Sequence, residues 1–386
     1  MIHSTRPRVV YWNNMPAPYM VERFNAVADR GNLDFEAWFN ERRAPDRTWI
    51  VDERGWRFRY RYMPSVRIAN WEFHFPIPLL GASAPDILVS LYAEPAFLVG
   101  WIIARVRKRL TMFRMLATSD NWVTRRWWKE LAKNFLFARV DGVETPGNQA
   151  RAYARRYNAP DDRIFYARHT VDVEHFSSGR RVALPEREKF RSELGLRGVT
   201  FVYVGRLWWG KGVNYLLDAF AEVQQRLKGS EVSLLLLGDG ADEGKLREQC
   251  RRKSIQNVVF AGFKQKPELP RYYTAADVFV FPTLGDPYGL VVDEAMACSL
   301  PIVSTSEAGE IRDRVADGVN GYIVPAEDAP ALADKMELLA QDPEARARMG
   351  IASFDRIKDH TPEGWAKDFE AAIAKIVERA RPLTAL

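Results

Sequence analysis

Cysteine, histidine and long apolar runs are scarce in this chain, and each shortage argues against a class of protein. The 386 residues include 2 cysteines, Cys250 and Cys298, and 5 histidines. Two cysteines in separate predicted helices provide neither a disulfide framework nor a zinc-binding spacing. The longest apolar run, Ala96 to Ala104, is far shorter than the roughly 20 residues that a membrane-spanning helix needs. The first residues also lack the apolar stretch of a secretory signal. We therefore expect a cytoplasmic protein, and peripheral attachment to the inner face of the cell membrane stays open.

Acidic residues are fewer than basic ones, and the excess is unevenly distributed. The net charge is +6 and the isoelectric point is near 9.2. Two segments are basic: Arg105, Arg107, Lys108 and Arg109 follow the apolar run, and Arg125, Arg126 and Lys129 surround Trp122, Trp127 and Trp128. This mixture suits the headgroup region of an anionic membrane, or else it forms a solvated helix face with ordinary core tryptophans. Only the isoelectric point favours a nucleic-acid partner, and we expect none.

The length and the order of the predicted elements indicate two α/β domains. A chain of 386 residues exceeds the size at which one hydrophobic core usually keeps growing. Short β-branched runs alternate with helical patterns along the whole sequence, which predicts parallel sheets. A polar, arginine-rich stretch between Phe176 and Gly195 predicts the junction. The predicted domains are 1–175 and 176–363, each doubly wound, facing each other across a cleft, and 364–386 is predicted to form a helix that returns to the first domain.

A glycine-rich loop follows the first strand of the second domain and carries two cations. The strand VTFVYV leads into Gly205-Arg206-Leu207-Trp208-Trp209-Gly210-Lys211-Gly212, and an amphipathic helix follows. An arginine fork and a lysine ammonium together match the oxygens of a diphosphate. The alternative is that Arg206 and Lys211 are two surface cations in a turn, because the spacing is not that of a Walker loop.

A second cluster places two carboxylates around the start of a helix. Asp286 precedes a predicted helix from Leu290 to Ala297, and Glu294 lies within it. The amides of Gly289, Leu290 and Val291 at the helix N-terminus can hold a phosphate. Carboxylates accept strong hydrogen bonds from sugar hydroxyls. The alternative is that Asp286 and Asp293 only cap the helix.

Together these motifs resemble the retaining GT-B glycosyltransferases of family four, and the resemblance covers nearly the whole chain. The family pattern appears as Gly-Arg-Leu and Lys-Gly within 205–212, Leu-Leu-Gly-x-Gly at 236–240, Gly-Phe at 262–263, an acid and a glutamate eight positions apart at 286 and 294, Glu-Ala-Met-Ala-x-x-x-Pro at 294–301 and Asp-Gly-Val-Asn-Gly at 317–321. The first acid is usually glutamate, and here it is aspartate, which leaves the donor sugar open. By resemblance, the first domain binds the acceptor and the second binds the nucleotide sugar.

The resemblance also implies roles for particular residues. It implies that Arg206 and Lys211 neutralise the donor diphosphate, that Glu294 binds the ribose and that Asp286 contacts the transferred sugar. The other residues assigned to the donor site are Gly205, Phe263, Tyr288, Gly289, Leu290 and Val291.

In the first domain the resemblance is weaker. Asp120 stands near the position where the family often has a histidine, and it is carried over as a catalytic residue, with the alternative that it caps the next helix. His169 lies in the predicted linker, where it either lines the cleft or is a hydrogen-bonded hinge residue.

Neither a cofactor nor a metal ion is expected. No Asp-x-Asp follows a strand in the way that would seat a divalent cation, and Arg206, Lys211 and the helix N-terminus would supply the positive charge instead. The sequence therefore predicts a metal-independent retaining hexosyltransferase that uses a UDP- or GDP-sugar and a glycan or lipid-linked acceptor, in the synthesis of a cell-surface polysaccharide or glycolipid. The alternative is a non-catalytic two-domain protein that binds a sugar nucleotide.

Overall fold

The computed structural model describes residues 6–42, 52–68, 71–81, 84–92, 94–115 and 127–380. Its contacts divide the chain into two units. Unit 1 comprises residues 1–170 and 361–386, and unit 2 comprises residues 171–360. Each unit has its own hydrophobic core.

Within the described residues, unit 1 is built on a seven-stranded parallel sheet with the order β3-β2-β1-β6-β7-β8-β9. The strand order reverses beside β1, so the sheet is doubly wound. A separate antiparallel hairpin is formed by β4 and β5. The strands are β1 Arg8–Asn13, β2 Asp34–Phe39, β3 Arg59–Tyr62, β4 Ser65–Ile68, β5 Trp71–His74, β6 Ile87–Ser90, β7 Leu110–Arg114, β8 Gly142–Thr145 and β9 Ile164–Tyr166. The first four helices are α1 Pro18–Arg30, α2 Pro95–Val106, α3 Trp127–Phe137 and α4 Asn148–Arg156.

Unit 2 contains, over residues 171–360, a six-stranded parallel sheet with the order β12-β11-β10-β13-β14-β15. Its strands are β10 Val199–Val204, β11 Val232–Leu237, β12 Val258–Gly262, β13 Val278–Phe281, β14 Ile302–Thr305 and β15 Gly321–Val324. Its helices are α5 Val173–Ala183, α6 Arg187–Glu193, α7 Val213–Arg226, α8 Glu243–Arg252, α9 Leu269–Ala275, α10 Leu290–Ala297, α11 Ile311–Arg314, α12 Ala329–Gln341 and α13 Pro343–Ile357. Every residue of β11 is buried, as expected for a strand covered on both faces. The predicted α/β class with two doubly wound sheets is confirmed.

The helix α14, Pro362–Ala380, belongs to unit 1 although the chain reaches it only after unit 2. Trp365, Phe369 and Ile373 are buried in the same cluster as Tyr11 of β1 and Phe24 of α1. The Trp365 indole and the Tyr11 hydroxyl each donate a hydrogen bond of 2.9 Å to the buried Glu144 carboxylate. Helix α14 is therefore part of the core of unit 1.

In the contact division, unit 2 begins at Val171, and the boundary predicted after residue 175 falls within helix α5. Helix α5 begins at Val173, and Val173 and Phe176 pack into the core of unit 2. In α5 the side chain of Arg181 is exposed and that of Arg180 is half-buried, so the polar composition of the segment hid the apolar face of the helix. His169 and Thr170, which end the first segment of unit 1, are buried and contact the Arg23 guanidinium.

Candidate nucleotide-sugar site

The candidate site lies at the carboxyl edge of the unit 2 sheet, where the loops after β10 to β14 meet. Parallel doubly wound sheets bind ligands at this edge, beside the point where the strand order reverses. In unit 2 that point is between β10 and β13. The two clusters predicted from the sequence follow these two strands.

The loop after β10 is drawn tightly against the loop after β13. Gly212 has a φ of 65° and starts α7, and a Cβ on it would stand 2.0 Å from the Pro282 carbonyl oxygen. The backbone amide of Leu284 and the hydroxyl of Thr283 donate to the Gly210 carbonyl at 3.1 and 3.2 Å. Glycine at 212 is therefore needed both for its backbone conformation and for the close approach of the two loops.

The two cations of the first cluster occupy different positions on this edge. The Lys211 ammonium is mostly buried and contacts the Asp286 carboxylate. Arg206 is exposed, and its guanidinium carbon lies 5.5 Å from the centre of the Trp208 ring. The structure therefore unites Lys211 with the acid of the second cluster, and Arg206 faces solvent.

A buried tyrosine fixes the backbone carbonyl of Arg206. It accepts a hydrogen bond of 2.9 Å from the buried Tyr203 hydroxyl. Burial raises the pKa of Tyr203 well above its ordinary value, and the Asp286 carboxylate acts in the same direction. Tyr203 therefore remains a neutral hydrogen-bond donor at physiological pH.

Asp286 does not cap helix α10, and its loop is fixed by several contacts. Its carboxylate accepts a hydrogen bond of 2.9 Å from the Tyr288 amide as well as the contact from Lys211. Its backbone amide donates to the Glu307 carbonyl at 3.3 Å, and its carbonyl accepts from the Gly309 amide at 2.8 Å. The Asp286 carboxylate is consequently held between the loops after β10, β13 and β14.

The N-terminus of α10 opens onto the same edge. Gly289, the residue before the helix, has a φ of 74°, and no side chain caps the helix. A Cβ at this position would approach the Phe281 ring to 2.7 Å. The helix therefore begins with backbone amides of Leu290 and Val291, in the arrangement by which helix N-termini hold phosphate.

Glu294 lies one turn into α10 and is only partly buried. Its carboxylate accepts a hydrogen bond of 2.8 Å from the Tyr273 hydroxyl. Burial, and then the Glu294 carboxylate, raise the pKa of Tyr273 well above its ordinary value. Tyr273 therefore stays protonated and keeps one Glu294 oxygen in place.

Sequence reasoning missed the residue that fixes the loop before α10. Arg314 of α11 is buried, and its guanidinium donates to the carbonyls of Tyr288, Gly289 and Gly309, the latter two at 3.0 and 2.9 Å. It also donates to the Asp293 carboxylate at 2.8 Å. Burial alone lowers the pKa of Arg314, but the Asp293 carboxylate reverses this and raises it.

Arg314 is therefore a permanent cation that ties together the loops after β13 and β14. Asp293 serves as its buried partner and not as a helix cap. No local pattern marks Arg314, because its hydrogen bonds, except the one to Asp293, go to backbone carbonyls, which every residue has.

The remaining predicted residues lie on the same edge or outside the described residues. Gly205 directly follows β10, and Gly262 and Phe263 end β12 with Phe263 exposed. Asp120 lies outside the described residues. Among the residues that the structure describes, no group of three or more histidine, cysteine or acidic side chains could hold a metal ion. Within the same residues, no helix combines the length and the apolar character needed to span a bilayer.

Similarity to solved structures identifies the fold. The chain superposes on the Anabaena protein HepE, crystallised with UDP, with a TM-score of 0.77 and 16% identity over 95% of this chain and 99% of that chain. It superposes on sucrose-phosphate synthase of Thermosynechococcus elongatus with a TM-score of 0.75 and 19% identity over 97% of this chain and all of that one (100%). The fold is the GT-B fold of glycosyltransferases.

Sequence comparison finds similarity to glycosyltransferases. Residues 198–342 match the family described as glycosyl transferases group 1. A D-inositol 3-phosphate glycosyltransferase of Pseudarthrobacter chlorophenolicus is 32% identical over 237 residues, which are 59% of this chain and 54% of the relative. The chain spans about half the length of the curated relatives that it matches. The matched region contains all of the site described above.

Proposed function

We propose that this chain is a metal-independent retaining glycosyltransferase that moves a hexose from a nucleotide diphosphate donor to a glycan or lipid-linked acceptor. The observation that carries the proposal is the meeting of Lys211, Asp286 and the N-terminus of α10 at one point of the sheet edge. A cation, a helix N-terminus and a carboxylate in contact are what a sugar diphosphate requires.

In this proposal the donor diphosphate lies between the N-terminus of α10 and the two cations. Lys211 turns from Asp286 to the phosphate, and Arg206, now exposed, closes over the second phosphate. Glu294 accepts hydrogen bonds from the ribose hydroxyls through the carboxylate that Tyr273 orients. Asp286 then accepts hydrogen bonds from hydroxyls of the transferred sugar. A UDP-sugar is favoured over a GDP-sugar because the structurally similar HepE was crystallised with UDP.

The proposed reaction keeps the anomeric configuration. The bond from the anomeric carbon to the phosphate oxygen breaks, and the acceptor oxygen bonds to the same face of that carbon. The acceptor proton passes to the departing phosphate oxygen, so no protein nucleophile is required. Lys211, Arg206 and the amides of α10 stabilise the charge that develops on the leaving diphosphate.

The product is proposed to enter a cell-surface polysaccharide or glycolipid made at the inner face of the membrane.

Unit 1 is proposed to hold the acceptor. The loop after β1 lies at the edge of the unit 1 sheet. The Asn14 side chain donates a hydrogen bond to Glu94, and Asn40 bridges to both Asn14 and Trp12. These amide and carboxylate groups suit hydroxyl-rich ligands.

The test is a donor screen followed by product analysis. Thermal shifts with UDP-, GDP- and ADP-sugars would identify the donor, since a ligand that binds the native state raises the melting temperature. Release of the nucleotide diphosphate is then measured with EDTA present, and NMR of the product gives the anomeric configuration. Binding of a sugar nucleotide without turnover on any acceptor would favour a non-catalytic binding protein, and an inverted product would contradict the proposed mechanism.

A further inference from the structure

Helix α2 of unit 1 turns an apolar stripe toward solvent. One side of the helix, including Phe97 and Trp101, is buried in unit 1. On the other side, Val99, Ile102 and Val106 are 46%, 53% and 78% exposed. Their spacing of three and four residues places them on one face of the helix.

Helix α3 carries a second stripe beside the first. Trp127, Trp128, Leu131 and Phe135 are between 49% and 75% exposed. The rings of Trp101 and Phe135 lie 6.2 Å apart, so the two helices adjoin there. We call the exposed apolar side chains of α2 and α3 the apolar face. Large exposed apolar patches mark interaction sites, whereas single exposed apolar residues do not. The apolar face comprises seven exposed apolar side chains on two adjoining helices.

Cations border the apolar face. Arg107 and Lys108 are exposed directly after α2. Lys129 lies 5.5 Å from the Trp128 ring, and the Arg139 guanidinium lies 4.0 Å from the Phe135 ring. Cations that lie against exposed aromatic rings can reach lipid phosphates while the rings enter the boundary below them.

The nearest acidic side chains do little to offset this charge. Glu130 forms an ion pair with Lys133, and Asp141 forms one with Arg105 at 3.0 Å. Both carboxylates are mostly buried. Among the described residues beside the apolar face, the exposed charges are therefore mainly positive.

We propose that the apolar face docks on the surface of an anionic lipid bilayer. A second copy of the chain fits less well, because a symmetric dimer would bring the same cations of both copies together. A nucleic acid fits less well too, because four of the seven side chains of the apolar face are aliphatic and offer neither a hydrogen bond to a phosphate nor a ring to a base. For a lipid-linked acceptor, this is the surface at which the chain would meet its acceptor, and that step rests on the proposed function. Docking on the bilayer itself does not depend on it.

The test is flotation of the whole chain with lipid vesicles. Vesicles of phosphatidylcholine mixed with phosphatidylglycerol should carry the protein upward, and vesicles of phosphatidylcholine alone should not. Added salt should lower the bound fraction, because it screens the cations. The flotation assay needs no nucleotide sugar, so it is independent of the glycosyl-transfer assay. Docking can therefore fail while glycosyl transfer is confirmed, and glycosyl transfer can fail while docking is confirmed.

Matched variants locate the docking surface. Leu131→Gln should lower the partition coefficient roughly tenfold. Ile351→Gln, at an exposed position of α13 in unit 2, should not change it. Lys108→Gln should lower it about fivefold, whereas Lys228→Gln, at an exposed position of unit 2, should leave it unchanged. Circular dichroism and melting temperature establish that each variant is folded.

Several results would overturn the inference. It fails if the wild-type chain does not bind the mixed vesicles, or binds neutral vesicles equally well. It fails if Leu131→Gln and Lys108→Gln behave like their controls. A dimer in light scattering that Leu131→Gln converts to a monomer would assign the apolar face to a second copy instead.

Discussion

Replacing Lys211 by alanine is the sharpest test of the proposed donor site. The ammonium contacts the Asp286 carboxylate, and the two side chains are only 13% and 15% exposed. Lys211→Ala removes the cation that would bind the diphosphate. It also leaves the Asp286 carboxylate without this cation. We expect kcat/KM to fall about a hundredfold to a thousandfold, the effect of removing one preorganised contact to a developing negative charge.

The size of this effect follows from the burial of the pair. Two unit charges about 4 Å apart interact by roughly 4 kcal/mol at an effective dielectric constant of about 20. Because both groups are partly exposed, solvent screens part of this interaction energy. About 3 kcal/mol then remains to stabilise the transition state. Each 1.4 kcal/mol corresponds to about a tenfold change in rate, which gives a factor of somewhat over a hundred.

The assay is release of the nucleotide diphosphate, together with calorimetry of donor binding. Lys211→Arg keeps the charge and should recover part of the activity. Lys245→Ala is the matched control, because its ammonium pairs with Asp242 on the same sheet edge and is 84% exposed. The reasoning is refuted if folded Lys211→Ala retains wild-type kcat/KM, or loses no more than Lys245→Ala.

Three further variants or probes test the packing that supports the site. Arg314→Leu should lower the free energy of unfolding by about 3 to 5 kcal/mol, because it leaves a buried carboxylate without its cation; Arg312→Leu, at the neighbouring exposed position, should cost little in urea unfolding. Gly212→Ala should destabilise the chain and abolish donor binding, whereas Gly195→Ala, whose φ of 69° is similar but whose Cβ would meet nothing within 4 Å, should cost only about 1 to 2 kcal/mol of backbone strain; equal melting temperatures would contradict this. Burial raises the pKa of the Cys298 thiol, so a maleimide should label Cys298 only after unfolding. Rapid labelling of the native protein would show that the C-terminal end of α10, where Cys298 lies, opens.

The sequence predicted the parts of unit 2 that depend on local patterns. The predicted helix from Leu290 to Ala297 has the bounds observed for α10. Its start could be predicted because Gly289 directly precedes it. The strands were equally clear, since a strand buried on both faces is a continuous apolar run.

Contacts between distant parts of the chain were not readable in the same way. Lys211 and Asp286 were both chosen from motifs, but only the pairing of β10 with β13 brings them together. Arg314 was missed because its partners are mainly carbonyl groups. The hairpin of β4 and β5 was missed as well, because its exposed strands do not show the apolar runs of the buried sheet.

Unit 2 interrupts unit 1 in the chain, and this order has a consequence for synthesis. Residues 361–380 leave the ribosome only after the whole of unit 2 has been made. Until then the face of the first sheet that Trp365, Phe369 and Ile373 cover is open, and Glu144 lacks its indole donor. The unit that begins first is thus completed last. A chain cut short after residue 360 would have an intact unit 2 but an exposed apolar surface on unit 1. Chaperones and proteases would therefore recognise unit 1.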